Sequence, residues 1–261
     1  MAYQLSLLDK APILQGETPT AALQRTLQLA QRAEAWGYHR FWLAEHHNTA
    51  QLASPSPELL IAWIIAQTRH IRVGSGGVML QHYSPYKVAE NFNLLASLAP
   101  GRIDLGVGKA PGGLPLSTQA LQRGIDTASK GSFAEQLQLL DSWLKPDQPK
   151  PDEDGLAATP LPARPASRFL LGASEESARL AASLGWQFVF AAHLNGDRAL
   201  LEHALSTYTR LSHGQRALVA VQVVVADSPT EADLLVAPLR HYHVAVKGGP
   251  GVNVASLEQA E

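Results

Sequence analysis

The sequence predicts an α/β fold built on a parallel sheet, and three observations carry the prediction. Short apolar runs alternate with longer helical patterns seven times along the chain, the rhythm of successive βα units. Proline, serine and glycine punctuate the junctions between them. Charged and imidazole side chains gather directly after the apolar runs, foremost in Ala44-Glu45-His46-His47, which follows Phe41-Trp42-Leu43. Such groups are costly in a core unless paired or set at an edge. In parallel α/β folds the edge that binds ligands is the carboxyl end of the strands. Seven βα units describe a (β/α)8 TIM barrel short of one unit. An open doubly wound sheet is the alternative, and local pattern alone does not separate the two.

Gln4 to Leu8 reads as the first strand. Thr18 caps a helix with Pro19 at its first position, Leu23, Leu27, Ala30 and Ala33 on one face, and Gly37 at its end. Arg40 to Leu43 is the second strand, and Ser56-Pro57-Glu58 opens a helix through about Thr68 by the same capping logic. Ile71 to Leu80 is the third strand. Ser84-Pro85 opens the third helix and Pro100-Gly101 closes it. Ile103 to Val107 is the fourth strand, followed by a helix from about Ser132 to Leu144.

Between Lys145 and Arg168 the rhythm fails. Pro146, Pro149, Pro151, Pro160, Pro162 and Pro165 forbid regular structure, and Asp152-Glu153-Asp154 is a solvated run. This is an irregular surface excursion within one domain spanning residues 1–261, either an inert loop or a substrate lid. Alternation resumes with strand Phe169 to Leu171, a helix from Glu175 to Leu184 stopped by Gly185, strand Gln187 to Phe190 and a helix from about Asp197 to Leu211. A long strand, Leu218 to Val225, leads to a helix opened by Ser228-Pro229. The tail from Lys247 to Glu261 is rich in turn residues and is expected to end without a strand.

Composition narrows the function. The 261 residues are 46% hydrophobic, enough for a sizeable core, and the formal net charge of -2 gives no global field that would attract nucleic acid or an anionic membrane. The absence of cysteine excludes disulfides, thiolate metal sites and a thiol nucleophile. The N-terminus lacks a basic region ahead of an apolar core, so no signal peptide is expected. The longest apolar runs are too short to span a bilayer. A cytoplasmic protein without a membrane segment fits these facts.

Four motifs bear on chemistry. Glu45, His46 and His47 are either a structural cluster at a strand end or a pocket histidine with Glu45 fixing an imidazole tautomer. Adjacent histidines on an extended chain point to opposite sides and do not readily share a metal, so no metal site is expected. Gly74-Ser75-Gly76-Gly77 interrupts a β-rich run, as a bulge does, or as backbone approached closely by a ligand does. Lys109, in Gly106-Val107-Gly108-Lys109-Ala110-Pro111-Gly112-Gly113, is a solvated loop lysine or an anion contact; the run matches neither a Walker A loop nor a dinucleotide fingerprint. Ser174 is a good helix N-cap, and a helix start there also offers N–H groups to a phosphate. Glu176 stands where a nucleophile elbow needs its second glycine.

Taken in order, these pieces match a family. Ala44-Glu45-His46-His47, the run Ile71 to Leu80, Ser84-Pro85-Tyr86-Lys87-Val88-Ala89-Glu90, Pro100 to Gly108, and Ser174 to Gly185 with Phe188 to Ala191 resemble the bacterial luciferase-like flavin monooxygenases over essentially the whole chain. The likeness is to their single-subunit oxidoreductases, whose substrates are mostly unassigned. The resemblance implies a (β/α)8 barrel, reduced FMN as cofactor and molecular oxygen as co-substrate. His46 matches the pocket histidine that assists the flavin's oxygen chemistry, with Glu45 and His47 as its supports. Gly76 and Gly77 match the pair joined by a non-prolyl cis peptide beneath the flavin ring, next to Ser75. Ser174 and Ser177 match the phosphate-binding positions.

Lys109 stands where the luciferase catalytic subunit has a phosphate-binding arginine; the lysine keeps the charge and loses the bidentate fork. The family usually continues well past residue 261, so the resemblance implies a shortened member, natural or a fragment, lacking the last βα unit. Open strand edges would then favour a homo-oligomer. No nicotinamide fingerprint is evident, so a separate flavin reductase is expected. Phe41, Trp42 and Met79 near the strand ends suit a small, apolar organic substrate, or else belong to the core. Two other readings stay open: a non-catalytic flavin-binding protein, which a short C-terminus favours, and a deazaflavin-dependent hydride-transfer enzyme of the same superfamily.

Overall fold

The computed structural model describes residues 3–126, 129–145, 155–194, 196–237, 242–244 and 252–254. The chain divides into two compact units, Met1–Ala220 and Val221–Glu261.

In the first unit the order is β1 (Ser6–Asp9), α1 (Pro19–Ala35), β2 (Arg40–Leu43), α2 (Pro57–Gln67), β3 (Arg72–Ser75), β4 (Val78–Met79), a 3-10 turn at Leu80–His82, α3 (Pro85–Leu98), β5 (Ile103–Gly108), α4 (Pro115–Leu121), α5 (Phe133–Trp143), β6 (Ser167–Gly172), α6 (Glu175–Leu184), β7 (Gln187–Ala191), α7 (Arg198–Leu211) and β8 (Leu218–Ala220). The strands pair in the order β1-β2-β3-β5-β6-β7-β8, all parallel, with β4 beside β5. The result is a parallel half-barrel with alternating helices. Among the described residues β1 pairs only with β2 and β8 only with β7.

The helix starts follow from the local chemistry. Thr18 Oγ1 accepts from the Ala21 N–H at 3.2 Å with Pro19 in the first turn, and Ser132 and Glu135 form a reciprocal capping box on α5. Ser56 and Ser84 make no side-chain cap bond. There the following proline starts the helix alone, because its fixed φ suits the first turn and its missing N–H leaves no donor to satisfy.

Strand residues alternate between the two faces of the sheet. Phe41, Leu43, Val73, Ile103, Leu105, Val107, Leu170, Phe188 and Phe190 face the helices and form the main core with Ile61, Ile64, Phe92, Leu137 and Tyr208. The other face carries a smaller cluster of Trp42, Phe169 and Val189, with Leu8, Leu171, Leu218 and Ala220 against it. On that inner face, at the amino end, Asp104 is fully buried. It accepts from Arg40 Nε at 2.9 Å, Trp42 Nε1 at 3.0 Å and Arg72 Nε at 2.9 Å. Arg72 also donates to the Ile103 carbonyl and the Ser167 hydroxyl at 3.1 and 2.8 Å.

Several expectations are corrected. The run Ile71 to Leu80 is not one strand: β3 stops at Ser75, the Gly76–Gly77 peptide is cis, and β4 resumes for two residues before the 3-10 turn. β8 ends at Ala220 rather than Val225, because its ladder with β7 closes at the Ala191–Ala220 pair. Helix α4, unforeseen, has only Pro115 to announce it. Of the proline-rich excursion, 146–154 lies outside the described residues. The part from 155 to 166 is pinned to α3, where Tyr86 Oη donates to the Ala157 carbonyl at 3.0 Å and Asn93 Nδ2 to that of Ala158 at 2.7 Å.

The second unit holds α8 (Pro229–Val236), capped by Ser228 Oγ accepting from the Glu231 N–H at 3.2 Å. It also holds the antiparallel pair β9 (Tyr242–Val244) and β10 (Val252–Val254), so the tail does carry a strand. Its remaining residues from 245 on lie outside the described ones. Among the described residues no helix is long and apolar enough to cross a membrane.

Candidate active site

The carboxyl ends of the parallel strands gather the polar groups that the sequence singles out. Following the strand order, this rim carries Lys10 after β1, Glu45, His46 and His47 after β2, Gly76 and Gly77 after β3, Lys109 after β5, Ser174 and Ser177 after β6, and His193 after β7. Its loops are joined through backbone. Ile13 N–H donates to Gln51 O at 2.7 Å, Ala53 N–H to Ala11 O at 2.9 Å, His46 N–H to Ser54 O at 2.9 Å and His47 N–H to Gly112 O at 2.8 Å. Ala11 takes φ 49°, a left-handed value that a residue with a Cβ adopts at a cost, and Asp9 Oδ1 accepts its N–H at 3.1 Å.

Glu45 is 1% exposed and has three donors. Met79 N–H lies 3.1 Å from Oε2, while Tyr83 Oη and His47 Nε2 lie 2.8 and 2.7 Å from Oε1. A buried carboxylate is tolerable only with such company. Glu45 therefore orients His47, and Tyr83 orients Glu45. Burial, then the charge of Glu45, pushes the Tyr83 phenol well above its usual range, which keeps it a donor. Burial also raises the Glu58 carboxyl, with Glu45 adding to it.

His46 points elsewhere. Its Nδ1 is buried and has no hydrogen-bond partner. Burial first, then the charges of Lys10 and His47, hold its pKa below the ordinary imidazole range. His46 is thus a neutral ring at neutral pH with one ring nitrogen to offer. Buried polar atoms without partners are rare, and such an atom at a strand-end rim marks a place where a ligand completes the set.

After the neighbouring strand β3, the Gly76–Gly77 backbone has no side chain and no room for one. A Cβ on Gly76 would stand 2.7 Å from Leu8 Cδ1 and 3.1 Å from Trp42 Cε3; one on Gly77 would stand 2.8 Å from the Gly106 carbonyl oxygen. Ser75 lies below this floor and is fully buried. Its hydroxyl donates to Gly106 O at 2.8 Å and accepts from Gly106 N–H at 3.0 Å, so its side chain is engaged within the sheet. Lys109 is exposed and pairs with no carboxylate among the described residues. Gly108 is in register with Leu171, so Lys109 stands near the start of α6. There Ser174 Oγ accepts from the Ser177 N–H at 3.2 Å and lies 3.1 Å from Ser177 Oγ.

Bare backbone, an imidazole nitrogen in need of a partner, an unpaired lysine and a helix start together fit a group with a flat ring and an anionic tail. Among the described residues no cluster that could hold a metal ion occurs. A cavity of about 580 Å³ opens at the other end of the sheet, lined by Tyr3, Glu34, Trp36, His39 and His70; it adjoins none of these groups.

Sequence reasoning missed Lys10, Glu58, Tyr83 and His193. Lys10 was legible: two residues past Leu8, it falls on the inner register of β1. Tyr83 was not, since its link to Glu45 joins residues 38 apart in sequence.

Comparisons with known proteins bear on the family and the fold. The family model described as luciferase-like monooxygenase matches residues 5–256. An N-acetyl-S-alkylcysteine monooxygenase of Bacillus subtilis (strain 168) is 47% identical over 262 residues, covering 99% of this chain and 78% of that protein. The solved structure of apo-MsnO8 superposes with a TM-score of 0.81 at 38% identity, covering 91% of this chain and 71% of that one. The oxygenating constituent of 3,6-diketocamphane monooxygenase from Pseudomonas putida, a type II Baeyer-Villiger monooxygenase solved with FMN, shares the fold at a TM-score of 0.68 and 23% identity, covering 90% of this chain and 71% of that one.

Proposed function

This chain belongs to the luciferase-like monooxygenase family, and from that premise we propose that it oxygenates a small organic substrate with reduced FMN and molecular oxygen. One oxygen atom enters the substrate, the other leaves as water, and a separate reductase restores the flavin's two electrons. The observation that carries the reading is the buried, partnerless Nδ1 of His46 after β2, with the side-chain-free Gly76–Gly77 backbone after the adjacent β3. Bound reduced FMN would supply the electrons and activate oxygen.

The chain's own residues do the rest. Gly76 and Gly77 would floor the ring, and Lys109, Ser174 and Ser177 would hold the phosphate. His46, neutral at neutral pH, would take or give a proton at Nδ1. Glu45, braced by Tyr83, keeps His47 in place beside it. Trp42 and Phe169, on the inner face, would exclude water. The half-barrel would be part of a (β/α)8 barrel, in one domain spanning the chain, and its two open edges, β1 and β8, would favour pairing of copies. The likeness to an N-acetyl-S-alkylcysteine monooxygenase supports a substrate of that class, an N-acylated thioether amino acid with apolar and carboxylate ends.

The test is an anaerobic titration of the 261-residue chain with reduced FMN, followed by admission of oxygen. Stoichiometric binding with reoxidation slower than that of free reduced FMN supports the reading. Binding without substrate oxygenation would make the chain a flavin carrier, and binding of a deazaflavin cofactor in place of FMN would make it a hydride-transfer enzyme. His46→Ala is expected to lower substrate oxygenation by about 10²-fold or more while FMN still binds.

A further inference from the structure

The rim holds two lysines that pair with no carboxylate among the described residues, and one anion cannot account for both. Lys109 stands at the end of β5, next to the start of α6 after β6. Lys10 stands at the end of β1, with β2 and β3 between it and β5 in the sheet. A phosphate held by Lys109, Ser174 and Ser177 would therefore not reach Lys10, which is exposed at the rim.

The surroundings of Lys10 are specific. Leu8 belongs to the inner face, where it packs against the Trp42, Phe169 and Val189 cluster, so Lys10 falls on the same inner register one step nearer the rim. Asp9, its neighbour, points the other way and is engaged by Thr26 Oγ1 at 2.7 Å and the Ala11 N–H at 3.1 Å. The left-handed backbone at Ala11 turns the chain immediately after the lysine. Two half-buried imidazoles lie within reach of the lysine's field, His46 after β2 and His193 after β7. His193 is tied to β8, its N–H donating to Ala220 O at 3.2 Å. Beyond burial, the charge of Lys10 acts on both rings and lowers the pKa of each.

An exposed ammonium with no carboxylate partner among the described residues, next to the loop that carries His46 and above the apolar inner-face cluster, suits a small molecule with one anionic and one apolar end. We propose that Lys10 is the specificity-determining residue of this protein and that it holds the substrate's carboxylate between His46 and His193. The inference rests on the oxygenase reading above for the word substrate, while the binding itself needs no flavin. The carboxylate would anchor on the β1 side, leaving the apolar end over Trp42 and Val189.

The test uses N-acetyl-S-methylcysteine and its uncharged methylamide as probes on the full chain without flavin. The imidazole C2–H resonances of His46 and His193 are followed by NMR, assigned with His46→Gln and His193→Gln. The acid is expected to shift both resonances and to bind about tenfold or more tightly than the amide, the scale of one charge-assisted contact. Lys10→Met should abolish that preference, and Lys10→Arg should retain it. Equal binding of acid and amide, no shift with either, or an acid preference that survives Lys10→Met would overturn the inference. Reduced-FMN affinity measured on the same variants separates the two readings. Lys10→Met that loses FMN as well would place Lys10 in the cofactor site and also overturn the inference. Lack of FMN binding by the unmodified chain would sink the oxygenase reading and leave the carboxylate result standing.

Discussion

The two ends of one sheet treat charge in opposite ways. At the amino end, Asp104 is fully buried and answered by Arg40, Arg72 and the Trp42 indole, and Arg72 reaches on to β6 through Ser167. There Asp104, Arg40 and Arg72 each have a counter-charge. At the carboxyl end Glu45 is so treated, while its neighbours on the rim are not. His46 Nδ1 has no partner, and Lys10 and Lys109 face no carboxylate among the described residues. The same strands thus close their electrostatics at one end and leave them open at the other. Stability is drawn from the first end and chemistry from the second.

Substitutions can break this contrast, and the largest effect belongs to the closed end. Asp104→Asn leaves two poorly solvated guanidiniums without their anion and is expected to cost about 3–5 kcal/mol. Urea unfolding measures it, and a loss under ~1 kcal/mol would show that the amino end does not anchor the sheet. Gly76→Ala comes next: its Cβ would press on Leu8 and Trp42. A cost of about 1–3 kcal/mol is expected, together with weaker reduced-FMN binding by fluorescence or absorbance titration. Tyr83→Phe removes one of three donors to Glu45 and should cost about 1 kcal/mol. Its sharper signature is a change in the His47 imidazole resonance, and an unmoved resonance would show that Tyr83 does not position Glu45.

The smallest effect is the dependence on pH. His46 and His193 have folded pKa values lowered from the free-histidine value of about 6.5, chiefly by burial. The unfolded chain then binds more protons in the window just below that value. Stability from these groups is complete above about pH 6.5 and is lost as pH falls through the lower folded values. Thermal melts from pH 7.5 downward should show the loss, and Lys10→Met should lessen it by letting both imidazoles titrate nearer their ordinary value.

Much of the fold was legible because its punctuation is local. Pro19, Pro57, Pro85 and Pro229 begin helices, Gly37 and Gly185 end them, and Ser132 with Glu135 makes a capping box, all within a few residues. The order of the polar clusters along the rim was legible for the same reason, since each follows its own strand. What escaped depends on partners far along the chain. The end of β8 is set by where β7 stops, 29 residues earlier in the register pair Ala191–Ala220. The division of labour between His46 and His47 depends on Tyr83 and Met79, which reach Glu45 from another strand and turn. Ser75 looked like a ligand contact by position, yet its hydroxyl is taken up by Gly106, which no local pattern reveals.

The loops of the rim are joined to one another mainly through main-chain atoms: Ile13 to Gln51, Ala53 to Ala11, His46 to Ser54 and His47 to Gly112. Amide-to-carbonyl bonds are indifferent to the identity of the side chains between which they run. A lineage could therefore exchange residues such as Lys10 or His193 one at a time while the scaffold of the mouth stays in place. New substrate preferences would arise by drift in outward-facing letters of the sequence, and foldability would not be the first thing risked.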